Sequence, residues 1–260
     1  MDLNALKAKL QGLQNPRGGG SGDGLKKTLW SPSVGKHSVR ILPSAFDKSN
    51  PFKELYFHYE FGKTMISLVN FGDKDPIVEF AQKLRKSSQK EDWSLARKLE
   101  PKMRVYVPVI VRGEEEKGPL LWSFGKQIYM ELLSIANDED VGDYTDPING
   151  RDITIETLDK ATTGKDYNTS TVRVRTKQTP LSENPDEMKR WLTEQPNPLE
   201  QFKKYSYDDM KSTLLAYLNP EDEKEEVIKE PAPTVVEPEK FSLNTSKPSI
   251  DSKIDDLFNI

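Results

Sequence analysis

The stretch Val105-Tyr106-Val107-Pro108-Val109-Ile110-Val111 decides how this chain is read. Its four valines fall on alternate positions and so share one face of an extended strand, with Tyr106 and Ile110 on the other. β-Branched side chains suit a pleated surface. Pro108 has no N–H to give to a ladder, which predicts an edge or a bulge there. Beyond the strand, Glu114-Glu115-Glu116 reads as a hairpin turn and 120–124 as a second strand. Gly125 then leads into a helix marked by Ile128, Leu132 and Ile135.

Working outward, residues 25–71 read mainly as strands. Val39 and Ile41 alternate with Arg40 and Leu42 until Pro43 breaks the run. Leu55, Phe57, Tyr59 and Phe61 share one face of the next strand, which assigns all four to the core, and Gly62-Lys63 suggests a turn into Met65–Val69. A helix fits 76–86: Asp75 is the expected N-cap, Pro76 suits the first position, and Ile77, Phe80, Ala81 and Leu84 form the buried stripe. Ile153–Leu158 and Thr171–Thr176 look like a strand pair. Residues 186–218 carry helical patterns, including Met210, Leu214, Leu215 and Leu218, interrupted by Pro196 and Pro198. Short strands with a few helices predict a small β-barrel or a mainly β, α+β domain rather than a parallel sheet.

The two ends differ from this centre. Leu3, Leu6, Leu10 and Leu13 recur at helical spacing in residues 1–14, with Lys7 and Lys9 off the stripe, and Pro16 and Gly18-Gly19-Gly20 end the pattern. A helix this short needs a surface for its leucines. The glycine-rich tether lets that surface belong to another molecule, or to the chain's own domain. From Pro220 onward, prolines scattered among Glu, Lys, Ser and Thr predict a disordered tail. It closes on Ile250, Ile254, Asp255, Asp256, Leu257 and Phe258, an acidic ending able to fold on a partner's surface.

The chain has 260 residues and no cysteine, which excludes disulfides and thiolate metal sites. No apolar leader or long apolar run is visible, so the expectation is a soluble intracellular protein without a membrane partner. The net charge of −4 conceals an asymmetry. Residues 220–260 hold 11 acidic and 5 basic side chains, whereas 25–127 hold 19 basic and 12 acidic. A basic centre beside an acidic tail points to a polyanionic partner.

Catalytic chemistry finds little support. There are two histidines, His37 and His58, and neither a phosphate-binding glycine loop with its Lys-Ser/Thr nor a nucleophile elbow. Clusters such as Asp138-Glu139-Asp140 read as solvated loops. His58, on a strand with Tyr56 and Glu60, reads as a satisfied structural residue. The expectation is a protein that is not an enzyme. A carboxylate nuclease remains a competing hypothesis, which magnesium-dependent degradation of single strands would support.

Holding an unpaired strand requires cations to track phosphates and aromatic faces for bases. Between 85 and 112 lie Arg85, Lys86, Lys90, Arg97, Lys98, Lys102, Arg104 and Arg112, with Trp93 and Tyr106 among them. Trp93 lies in a polar segment without an apolar stripe, so a surface place is favoured. Trp122, Phe124 and Lys126 alternate along one strand face, Lys165 and Tyr167 share a loop, and Arg173 and Arg175 alternate with inward-pointing Val172 and Val174. Tyr106 and Phe124 fit either a core or a binding face, and Arg173 and Arg175 either a solvated face or phosphate contact. With Arg40, the candidate DNA contacts are Trp93, Arg97, Lys98, Arg104, Tyr106, Trp122, Phe124, Lys126, Lys165, Tyr167, Arg173 and Arg175.

At these residues the chain resembles the single-stranded DNA-binding proteins of T-even-type phages, the gene 32 product family. Ser38-Val39-Arg40-Ile41-Leu42-Pro43-Ser44 resembles the family's early strand, and the hairpin Leu55–Lys63 follows it. Glu91-Asp92-Trp93-Ser94-Leu95 with Arg97-Lys98 resembles its aromatic and basic cluster. Phe124-Gly125-Lys126-Gln127-Ile128 resembles its strand-to-helix junction, Tyr167 falls at its groove tyrosine, and Ile254-Asp255-Asp256-Leu257-Phe258 resembles its acidic tip. The resemblance implies an OB-fold core over 21–219 with a small helical and hairpin subdomain. It also implies an arm over 1–20 (Leu3, Leu6, Lys7, Leu10, Leu13) that docks on the neighbouring protomer, and a tail over 220–260 that recruits phage replication and recombination proteins and guards the cleft. The implied function is cooperative, sequence-nonspecific coating of single-stranded DNA in phage replication, recombination and repair, in the cytoplasm of an infected bacterium. An interaction scaffold with an OB-like core is the alternative.

Two departures stand out. The family holds a zinc through one histidine and three cysteines. His58 matches the histidine, but where the family has Cys-x-x-Cys this chain has Asp75-Pro76-Ile77-Val78. One imidazole and a carboxylate do not make a zinc site, so no metal and no cofactor are expected, and the apolar stripe of 77–84 is expected to hold the subdomain instead. The arm also lacks the family's compact basic and Ser/Thr cluster, having only Lys7, Lys9 and Arg17.

Overall fold

The computed structural model describes residues 28–219, so the expected arm and acidic tail lie outside the described residues. These carry eight strands and six α-helices in a mixed α+β arrangement. The strands are β1 (Leu29–Trp30), β2 (Gly35–Ile41), β3 (Lys53–His58), β4 (Met65–Ile66), β5 (Lys102–Val111), β6 (Leu120–Phe124), β7 (Arg151–Leu158) and β8 (Thr169–Gln178). The helices are α1 (Pro76–Arg85), α2 (Lys90–Leu99), α3 (Lys126–Ala136), α4 (Lys160–Thr163), α5 (Pro185–Thr193) and α6 (Tyr207–Leu218). The chain divides into two units: 28–57 with 102–203, and 58–101 with 204–219.

In the first unit the strand order is β1-β6-β5-β2-β7-β8, with β3 also on β5. β1 joins β6 in parallel, and the other pairings along this path are antiparallel. β5 pairs with β6 along one edge. Its other edge is shared: β3 occupies Lys102–Tyr106 and β2 occupies Val109–Val111. Pro108 falls in the gap where the partner changes, and its carbonyl accepts from Leu42 N at 2.9 Å. Since N and O of one strand residue face the same edge, the missing donor lies in that gap. The proline marks a changeover rather than an outer edge.

The valine face of β5 packs with Val39, Ile41, Trp122, Phe124, Leu132, Ile153 and Ile155. Each fully buried side chain of this size is worth about 1.5–3 kcal/mol. The other face is buried too. Ile110 joins Leu42, Leu181 and Trp191, and Tyr106 (6% exposed) lies against Phe57 and Phe202. A strand covered on both faces leaves no ring for solvent, which settles Tyr106 as core.

Arg40 is also placed differently from the expectation that it meets DNA. It is 1% exposed, with Nε on Asp152 at 3.0 Å and a terminal nitrogen on the Thr179 hydroxyl at 2.6 Å. Arg112 binds the same carboxylate at 3.0 Å. Burial pushes the Arg40 guanidinium below its ordinary pKa, and Asp152 opposes that shift. Arg40 is therefore a buried tie between β2 and the start of β7.

In the second unit, α1 forms as read: Asp75 accepts from Ile77 N and Val78 N, and Ile77, Phe80, Ala81 and Leu84 are buried. They pack with Met65, Leu68, Ala96, Leu99, Met210 and Leu214. The expected strand at Met65–Val69 is only two residues long, and a 3-10 turn over Leu68–Phe71 follows. β3 ends at His58, before the turn that Gly62 makes with φ of 66°. Tyr59 is consequently 44% exposed, correcting its core assignment, while Phe61 is partly buried and packs on the core of the second unit rather than on a shared strand face. Residues 90–99 form α2, a helix not anticipated.

Candidate nucleic-acid interface

At the junction of β6 and α3 the first unit has an open cavity of about 360 Å³. Arg104 enters from β5, Ser123 from β6, Lys126 and Gln127 from the first turn of α3, and Tyr167 and Asn168 from the loop before β8. Among the described residues, no carboxylate lines it. The α3 N-cap is Gly125, which offers no capping side chain. The first-turn N–H groups have no intrahelical acceptors, and that end of the helix carries the positive end of its dipole. Helix end, lysine and arginine give the cavity one sign of charge, suited to a phosphate.

Arg104 is steadied by the Ser123 hydroxyl and carbonyl at 3.3 and 3.4 Å. Tyr167 is 66% exposed, with the Lys165 ammonium 5.8 Å from its ring centre. A ring this open can take a base on its face. On β8, Val172 is buried and Val174 partly so, while Arg173 and Arg175 are exposed. Arg175 Nε donates to the Thr154 hydroxyl at 3.4 Å.

Trp122 and Phe124 line the same cavity, but they are 1% and 2% exposed and their rings lie 4.5 Å apart in the core. Their expected role as stacking platforms is corrected on that ground. Lys126 does not continue their strand face either, because β6 stops at Phe124 and Lys126 opens α3. Ser123, Gln127 and Asn168 were not singled out from sequence. Polar residues beside a turn carry no pattern that distinguishes a cavity wall from any loop.

In the second unit, Trp93 and Arg97 are one turn apart on α2 with Lys98 beside them, all exposed. The opposite side buries Asp92, Ala96 and Leu99. Trp93 is 50% exposed and held in place. Its Nε1 donates to the Ser87 carbonyl at 2.8 Å, and the Arg85 guanidinium lies 5.2 Å from its ring centre. Arg85 is itself gripped by both oxygens of Glu100, at 2.7 and 2.8 Å. The indole is thus oriented before any ligand arrives.

The family model for gp32 DNA binding protein like sequences matches residues 33–219, most of the chain and nearly all of its described part. The chain belongs to this gp32-like DNA-binding family. It is a gp32-family single-stranded DNA-binding protein, and the match spans both units and every candidate contact named above. A comparison with curated protein sequences finds no match.

The zinc that the gp32 resemblance implies does not fit the donors present. His58 is 1% exposed. Its Nδ1 faces the Leu99 carbonyl at 2.9 Å and its Nε2 the Asp75 carboxylate at 3.1 Å. That carboxylate also accepts from Ser67 Oγ at 2.6 Å, Leu68 N and Ile77 N at 3.0 Å, and Val78 N at 3.2 Å. Both ring nitrogens and both carboxylate oxygens are already engaged. Among the described residues, no cluster of three or more His, Cys, Asp and Glu is placed to hold a metal ion. No described helix is long and apolar enough to cross a membrane.

Proposed function

We propose that this protein coats single-stranded DNA cooperatively and without sequence choice, protecting it during phage replication, recombination and repair in the host cytoplasm, and that it catalyses no reaction. The observation that carries this reading is the cavity at the α3 N-terminus, which no described carboxylate lines, with Arg104 and Lys126 among its walls and Tyr167 open beside it. Phosphates take the cations and the helix end, and a base stacks on Tyr167. Arg173 and Arg175 extend the cationic surface of the first unit, while Trp93, Arg97 and Lys98 offer the same chemistry on the second. The strand order around β5 supports an OB-type barrel for the first unit.

Arm and tail supply the rest. Residues 1–20 dock their leucine stripe on the neighbouring protomer. Residues 220–260 compete with DNA for the cationic surface and recruit replication proteins through Ile254–Phe258. The tail's excess of acid over base supports that competition, because a tethered polyanion is locally concentrated.

Titration with poly(dT), followed by tryptophan fluorescence at two salt concentrations, tests the reading. Quenching is expected, with log affinity falling against log salt by roughly 0.7 per phosphate contact. Salt-independent binding, or none, would leave the scaffold alternative in its place. Removing 1–20 should abolish cooperative filling of long strands and spare a short oligonucleotide. Removing 220–260 should tighten binding at low salt.

A further inference from the structure

We propose that His58 and Asp75 form a metal-free clasp that positions α2, and with it the Trp93, Arg97 and Lys98 face, for DNA. The proposal rests on the DNA-binding reading of that face.

Asp75 lies at the hub of three local segments. Its carboxylate takes the Ser67 hydroxyl and Leu68 N–H from the 3-10 turn, two N–H groups from the first turn of α1, and the His58 ring from the end of β3. His58 carries the connection onward through Nδ1 to the Leu99 carbonyl, in the last turn of α2. Leu99 is followed by Glu100, whose carboxylate grips Arg85, and Arg85 lies over Trp93. One continuous chain of contacts thus runs from a buried carboxylate to the exposed indole. The carboxylate occupies the position where the gp32 resemblance places a thiolate, and it lies 3.1 Å from the imidazole nitrogen.

The bond count explains why the pair is stiff. Both ring nitrogens and both carboxylate oxygens have partners within hydrogen-bond distance. Neither member is solvated, at 1% and 2% exposure. Removing one member leaves the other buried without its partner, which is far more costly than losing an exposed pair. The apolar stripe of α1, expected to hold this unit alone, is therefore aided by a polar clasp.

The test is a set of double-mutant cycles on full-length protein. The single changes are H58Q and D75N, the probes are an R97A/K98A pair and Y167A, and the readout is affinity for oligo(dT) across salt. H58Q is expected to weaken binding about three- to tenfold and to flatten the salt dependence by up to about 1.4, the share of two phosphate contacts. Combined with R97A/K98A it should cost little more than R97A/K98A alone, whereas with Y167A the losses should add. Hydrogen exchange should speed up selectively at the amides of α2. Full additivity with R97A/K98A, or unchanged exchange in α2, would overturn the clasp. If R97A/K98A alone leaves affinity and salt slope intact, the DNA-binding reading of α2 fails, and exchange in H58Q still judges the clasp. Should D75N not fold, H58Q suffices, because the four other bonds to Asp75 remain. Dialysis against a strong chelator should change neither thermal midpoint nor affinity in the wild type; a fall in either, restored by zinc, would overturn the metal-free claim.

Discussion

The cavity of the first unit and the outer face of α2 present the same pair of chemistries, cation and flat ring, by opposite structural means. In the first unit the aromatic residues that alternate along strands, Tyr106, Trp122 and Phe124, are consumed by the core, and the open ring comes from a loop as Tyr167. In the second, Trp93 stands on a helix whose other side is buried, braced by Arg85 and the Ser87 carbonyl. An aromatic side chain on a strand flanked by valines is recruited inward, whatever basic residues lie nearby. One surrounded by charge stays out and needs bracing to be useful.

The largest effect expected from breaking this contrast is in stability. Tyr106→Ala should cost about 3–5 kcal/mol, as truncation of a buried aromatic does, read as a shift of the urea midpoint. The folded fraction should bind oligo(dT) with unchanged affinity. A loss of affinity without a loss of stability would return Tyr106 to the interface.

Tyr167→Ala and Trp93→Ala should behave in the reverse way. Each should weaken binding by about 1–3 kcal/mol, the worth of one stacked base, with stability within about 0.5 kcal/mol of wild type. Wild-type affinity in both variants would mean that neither ring stacks. The cations sharpen the contrast further. Arg104→Ala and Lys126→Ala should each reduce the salt slope by roughly 0.7 and lower affinity alike for all homopolymers. The same change at Arg40 should destabilise the fold instead, since its buried guanidinium binds Asp152.

The smallest effect is confined to acid and to the second unit. Burial alone would raise the Asp75 pKa, but the bonds from His58, Ser67 and the α1 backbone hold it below the ordinary carboxylate value. A carboxyl with a depressed folded pKa adds stability above its unfolded value of about 4, and that stability is lost as pH falls through the folded value. Hydrogen exchange in 58–101 should therefore accelerate below about pH 4, and D75N should remove that acid dependence. Acceleration that persists unchanged in D75N would place the sensitive group elsewhere.

Much of the fold was legible because its signals are local. The valine alternation of β5, the Asp75-Pro76 start of α1, the Gly125 junction and the β7–β8 pair all formed where the sequence placed them. Helix α2 was not legible, since Asp92, Ala96 and Leu99 make a buried side too narrow to register as an apolar stripe. The role of Arg40 depends on Asp152 and Thr179, more than a hundred residues away, and no local pattern records that pairing. Tyr167, Lys126, Trp93 and the β8 arginines were visible as candidates because exposure and charge neighbourhood can be judged nearby. Which rings the core would claim depended on β5 being covered from both sides, and the valines alone did not reveal that.

Pro108 carries a further consequence. Two neighbours, β3 and β2, approach β5 along the same edge from either end and stop at a position with no hydrogen to offer. Neither can creep along the edge by one residue without meeting this stop, and a slip of one residue would turn Val39 and Ile41 of β2, or Leu55 and Phe57 of β3, to the opposite face. A single imino acid therefore acts as a ratchet tooth, setting the parity of two strands at once and keeping this part of the sheet in register.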